Sequence, residues 1–375
     1  MQQVCKQEDS SKTLLDVAEF LLGQQLAGAA LQLLDRARTA KPSPRWRELC
    51  GRTLFAMEDY EAASKELGMA AGKEPKASTY CKLATALLFA GKYKRAIAAA
   101  KKLLAIDPQH LSAHYVCGTA FSELGRNREA IAAYDLLLPG NNLNQLLLVA
   151  WEARLMEEFA AAGRYLDRVA QLQPNNRKLW VERIRLGLDA KDRHAVLANA
   201  RQLADLPGCT LLGRLFAARI HAAERTPEKV LAALADDEDS QIPTEDRHDY
   251  VEEIACILET FVQKHGPKHL AGWIGNLRKQ LTKMLDEEMM IGILRELLYK
   301  SAGNEFAGNL ADWQQAAVDL QKCLADMPAC QISVGLIGQA AEYAKTGDNR
   351  HLLKLPLEQR RLLKDVFSQS LAKTA

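Results

Sequence analysis

The chain has 375 residues, of which 26% are charged, with a formal net charge of +2 and eight cysteines. That length exceeds what one compact core usually organises, so an elongated array plus a further domain is expected. The near-neutral balance gives no reason to invoke nucleic acid or an anionic membrane, and no run of ~18 apolar residues offers a membrane span. The opening residues, MQQVCKQEDSSK, lack the apolar core of a secretory signal, so a cytoplasmic location is expected. The cysteines, at 5, 50, 81, 117, 209, 256, 323 and 330, form no C-x-x-C pair. They are expected to be reduced, structural residues that act as small apolar side chains.

In chain order, residues 1–9 are expected to be a flexible N-terminus. From about residue 10 a period governs the sequence. Prolines stand at 42, 75, 108, 174 and 207, each gap being 33 residues or twice that. The missing beat falls in the turn Pro139-Gly140-Asn141-Asn142. Ala30, Ala63, Ala96, Ala162 and Ala195 keep the same period, with Ala130 beside the fourth beat, and Tyr60, Tyr93 and Phe159 form a third series. The clearest unit runs from Ala77 to Pro108. Tyr80, Leu83, Ala84 and Leu87 share one helical face. Gly91-Lys92 breaks that helix, and Tyr93, Ala96, Ile97, Ala100 and Leu104 line a second. Asp107-Pro108 ends it, because a residue before proline is pushed out of the helical region. Each period is therefore a hairpin of two short helices whose small residues allow close approach.

This pattern resembles the tetratricopeptide repeat, with its aromatic, Leu-Gly, Tyr, Ala, aromatic and closing Pro positions. The unit His114-Tyr115, Cys117-Gly118, Phe121, Gly125, Ala130, Tyr134 matches well, and Trp46, Leu49, Tyr60, Ala63, Pro75 matches in part. Residues 143–174 keep Ala150, Phe159, Ala162, Leu166 and Pro174. Trp180, Ala195 and Pro207 mark a weaker unit, and Leu14 to Pro42 a degenerate first one. The resemblance covers about residues 10–208. It implies an all-α right-handed superhelix of helix hairpins, followed by an aperiodic helical C-terminal domain. The expected layout is a repeat array over 10–240 and that domain over 244–375, separated at the acidic stretch Asp236 to Pro243.

Past Pro207, residues 210–235 read as one more helix pair, broken at Arg225-Thr226-Pro227. Helices are then expected around Tyr250–Phe261, Leu270–Leu281, Met289–Tyr299, Trp313–Leu324 and Cys330–Tyr343. The tail Tyr343, Thr346-Gly347-Asp348, Leu352-Leu353 and Leu355 to Leu363 is similar to helical tails that follow repeats in sensor regions of large prokaryotic signalling or defence NTPases. That resemblance implies an alternative role as a sensor or regulatory subunit of an NTPase- or nuclease-linked system.

No catalytic or cofactor motif is present. There is no G-x-x-x-x-G-K-[ST] loop, no G-x-S-x-G elbow and no H-E-x-x-H helix. His265 and His269 are four apart, but Gly266-Pro267 lies between them and no third ligand is near in sequence. The basic cluster Lys92, Lys94, Arg95, Lys101, Lys102 reads as a solvated outer face, since the aromatics are taken up by core positions and cannot stack on bases. The chain is expected to be no enzyme and to use no cofactor or metal.

In arrays of this family the first helix of each hairpin lines a concave groove. The positions that the core pattern skips are Ser78, Cys81 and Thr85, then Tyr115 and Thr119, then Trp151 and Arg154, then Lys178 and Arg185. Tyr, Trp and Arg are the usual anchors of protein interfaces, so Tyr115, Trp151, Arg154 and Arg185 are the expected hot spots. The lysine and asparagine clamp with which family members hold a C-terminal carboxylate is absent, since Cys81, Thr85, Tyr115 and Thr119 occupy its places. The expected function is a non-enzymatic adaptor or scaffold that binds an extended or helical protein segment.

Overall fold

The computed structural model describes residues 2–39, 41–234, 247–281, 285–304, 306–347, 355–356, 359–364 and 367. Among them there is no strand, and the fold is all-α. The chain divides into two compact units, Met1–Gln173 and Pro174–Ala375.

The first unit holds ten helices as five hairpins. They are α1 (Gln2–Gly23) with α2 (Ala27–Ala37), α3 (Pro44–Ala56) with α4 (Tyr60–Lys73), α5 (Ala77–Phe89) with α6 (Tyr93–Ile106), α7 (Leu111–Glu123) with α8 (Asn127–Asp135), and α9 (Leu143–Leu155) with α10 (Phe159–Leu172). The first helix starts inside the stretch expected to be flexible. The alanine beat is the hinge of the packing: Ala30, Ala63, Ala96, Ala130 and Ala162 are fully buried on the second helices. A methyl group is all the space that a close helix crossing leaves. Gly118 goes further, because a Cβ there would clash with the ring carbons of Tyr134.

The turns and helix ends repeat as well. Gln25, Glu58, Gly91, Gly125, Glu157 and Lys191 all take the left-handed conformation, with φ between 57° and 69°. Only two of the six are glycine, so the others accept a backbone cost of ~1–2 kcal/mol to hold the hairpin geometry. The Ser43 and Asn142 side chains accept from Trp46 N and Gln145 N at 3.2 and 3.1 Å, capping α3 and α9. The proline beat also has a partner: a His114 ring nitrogen meets Pro108 O at 3.0 Å, and Trp180 Nε1 donates to Pro174 O at 2.9 Å. The missing proline has a local counterpart in α8, which spans nine residues where α6 spans fourteen.

The second unit contains α11 (Arg177–Asp189), α12 (Arg193–Ala204), α13 (Thr210–Ala222), α14 (Pro227–Ala232), α15 (Arg247–His265), α16 (Leu270–Gln280), α17 (Glu287–Gly303), α18 (Leu310–Cys323) and α19 (Cys330–Thr346). One apolar core runs through it from Val181 to Leu363, so the hairpins after Pro174 share a core with the C-terminal helices. The alanine beat slips here: Ala195 is half-buried and Val196 takes the buried place. The expected boundary at Asp236 to Pro243 lies outside the described residues, as do Asp348, Leu352 and Leu353 of the tail. Glu253 is buried and accepts from Arg219 at 2.9 Å, and burial pushes its carboxyl up to about 7. All described cysteines are free.

The close approach at Gly118 generates a stability prediction. Gly118→Ala should destabilise the protein by ~1–3 kcal/mol through overpacking against Tyr134, measured as a lowered urea midpoint, whereas Ala98→Ser on the exposed side of α6 should leave it unchanged.

Candidate functional site

Within the first unit, α1, α3, α5, α7 and α9 lie side by side. Arg45 of α3 reaches Asp16 and Glu19 of α1 at 2.6 and 3.1 Å, and Arg52 reaches Glu19 at 3.0 Å. Helices α3, α5 and α7 touch in turn. Hydrogen bonds from Tyr115 and Thr119 to Glu152 tie α7 to α9. The second helices of the hairpins stand behind this row.

The expected site residues in this unit fall on the row. Ser78 is exposed on α5, and Cys81 and Thr85 are half-buried there. Cys81, Thr85 and Lys82 line a cavity of about 340 Å³ together with Leu22, Arg52, Phe55 and Leu67. Its floor is apolar, and its two cations stand on neighbouring helices. Arg52 is partnered by Glu19, and Lys82 is exposed. Thr85 Oγ1 donates back to Cys81 O at 2.9 Å. Beside the cavity Phe55, Tyr60 and Phe89 form an aromatic group, with Tyr60 stacked on the exposed Phe89 at 5.1 Å.

Further along the row, Tyr115 and Thr119 are half-buried and turned toward a shared acceptor, Glu152. Its carboxylate receives Tyr115 Oη at 3.2 Å, Thr119 Oγ1 at 3.2 Å and the buried Tyr134 hydroxyl. Burial is the main cause that pushes the Glu152 carboxyl up to about 7. The Tyr115 and Thr119 hydrogen bonds oppose that rise, and nearby Glu123 adds to it. Burial and the Glu152 charge push the Tyr115 phenol up to about 12. Trp151 is 41% exposed and forms a stripe along α9 with the exposed Leu148 and Leu155. Arg154, on the same helix, is half-buried.

Lys178 and Arg185 lie on α11 in the second unit. Lys178 is exposed. Arg185 is held by Glu182 and Asp249 at 2.9 Å each, and Arg177 meets the other oxygen of Asp249 at 3.0 Å. Arg185 is thus engaged in an ion network, which a partner would have to displace.

Sequence reasoning missed Glu152. Yet its position carried a signal. Two residues after the small residues Gly51, Ala84, Gly118 and Ala150 stand Thr53, Ala86, Ala120 and Glu152. The first three are buried and small, so a carboxylate at the fourth needs hydroxyl donors around it.

The sequence of residues 87–147 matches the tetratricopeptide repeat profile. The chain carries tetratricopeptide repeats. Among curated proteins none matches it. Solved structures similar to it include MamA (residues 41 to the end) from Desulfovibrio magneticus RS-1, at 19% identity, 45% of this chain, 97% of that one and a TM-score of 0.41. A tetratricopeptide repeat protein from Parabacteroides merdae shares 16% identity over 60% of this chain and 91% of its own, with a TM-score of 0.45. The C-terminal part of a repeat-containing protein from Cytophaga hutchinsonii shares 13% over 74% and 99%, with a TM-score of 0.48. Tetratricopeptide repeats are, as a class, protein–protein interaction modules. No helix among the described residues is long and apolar enough to cross a membrane.

Glu152 supplies a pH prediction. Its folded-state pKa lies above the value of a free carboxyl, so the native state binds the extra proton. Its contribution therefore favours folding below about 7 and weakens as the pH rises from 4.5 through 7. A ¹³C-detected titration of labelled glutamates should find Glu152 with a midpoint near 7. Tyr115→Phe should move it higher still, because a donor to the charged form is lost.

Proposed function

We propose that the chain is a non-enzymatic adaptor or scaffold, and that the row α1, α3, α5, α7 and α9 holds a segment of a protein partner. One observation carries this reading: Cys81 and Thr85, which the repeat core skips, line a cavity with an apolar floor on that row, and α9 further along carries a stripe of exposed tryptophan and leucine. An apolar floor with a few placed polar groups is what a side chain of a bound segment requires. Cys81 and Thr85 would form part of the wall, Ser78 and Thr119 would add polar contacts along the row, and Tyr115, Trp151 and Arg154 the larger contacts. The segment lies across several hairpins, and recognition is binding alone, with no covalent step.

A blocked groove tests it. Thr85→Arg places a long cation in the cavity, and Trp151→Ala removes the largest exposed side chain of α9. Proteins captured by the unmodified chain should be lost with Thr85→Arg and held less tightly, by ~2 kcal/mol, with Trp151→Ala. They should be kept with Ala98→Arg, on the exposed side of α6. Circular dichroism should be equal for all four proteins. Partners retained by Thr85→Arg would move recognition elsewhere on the chain.

A further inference from the structure

The two ends of the row differ in charge. At α1, α3 and α5 the cavity has an apolar floor of Leu22, Phe55 and Leu67, and Arg52 and Lys82 stand at its wall. Glu19 is shared between Arg45 and Arg52, and Asp16 also bonds Arg45. Three cations thus face two carboxylates, and Lys82 is the one that none of these carboxylates engages. At α7 and α9 the order reverses. Glu152 is gripped by the hydroxyls of Tyr115, Thr119 and Tyr134, which are neutral, and the described groups acting on its charge include no cation. A half-buried carboxylate served only by hydroxyls has no cation to answer its charge when it ionises. A cation brought by a ligand is the natural complement of such a group, as an anion is of Lys82.

From this charge order, and resting on the groove reading above, we infer the chemistry of the bound segment. It carries an acidic residue next to an apolar one, which enter the cavity between α1, α3 and α5. It carries a lysine or arginine about five or six residues away, which meets Glu152. The spacing follows from helix packing. Lys82 of α5 and Glu152 of α9 are two helices apart in the row. Packed helices lie ~8–10 Å apart, so the two charges are separated by roughly 16–20 Å, and an extended chain covers ~3.3 Å per residue. The cavity, about 340 Å³, is at the lower end of ligand pockets, ~300–1,000 Å³. It suits side chains of a peptide.

Selection from a random twelve-residue peptide library displayed on phage tests this with the full chain as bait. Binders that also attach to Thr85→Arg are subtracted as background. The remaining pool should be enriched in Asp or Glu beside Leu, Ile or Phe, with Lys or Arg five or six positions away. The expected enrichment is about fivefold over the unselected library, the factor that ~1 kcal/mol per part-exposed ion pair sets. With Lys82→Glu as bait the acidic preference should vanish. With Glu152→Gln, which keeps the side-chain shape and one oxygen to accept from the hydroxyls, the basic preference should vanish and the acidic one remain. Identical pools from the unmodified chain and both charge variants would overturn this inference and leave the groove reading standing. An empty pool after subtraction would overturn both.

Discussion

The close crossing of paired helices is the constraint on which the rest depends. Ala30, Ala63, Ala96, Ala130 and Ala162 have no exposed surface, and Gly118 lies against the ring of Tyr134. Interiors pack at crystal-like density, so a crossing set by a methyl group or a hydrogen atom fixes each hairpin with little freedom. Once the hairpins are fixed, their first helices align in a row. Every third or fourth residue of that row is then turned away from the core. The exposed side of the row is thus a by-product of the small-residue beat, and its chemistry is free to vary without changing the fold.

That separation explains what could be read from the sequence. The helix hairpins were legible because a 33-residue beat repeats packing, turn and cap together. The prolines mark helix ends, and the carbonyls of Pro108 and Pro174 both receive a side-chain ring six residues on. The places of Ser78, Cys81, Thr85, Tyr115 and Thr119 on the first helices of their hairpins followed from the same period. Their contacts did not. That Tyr115 and Thr119 converge on Glu152 depends on which side chains two neighbouring hairpins bring together, and a single repeat does not encode it. The organisation after Pro174 was harder still. There the beat slips by one residue at Val196, and a single aperiodic core joins α11 to α19, so no period remains to read.

Charge adds a second layer on the same scaffold. Surface ion pairs such as Arg164–Asp135, at 2.9 Å, are exposed and contribute little to stability. Glu152 is different because its environment is partly dry and its donors are neutral. Its three hydroxyl donors come from α7 and α8, so it joins neighbouring hairpins while its charge goes unanswered by any cation among them. Buried Glu253 in the second unit is served by Arg219 instead, and there the charge is answered from within the protein.

Hydrogen exchange on the full chain, with and without a bound twelve-residue peptide, tests the central claim most directly. The account predicts that binding slows amide exchange at the first helices of the hairpins, α3, α5, α7 and α9. The second helices, α4, α6, α8 and α10, should be left as they were. Protection confined to the second helices, or to residues after Pro174, would contradict it.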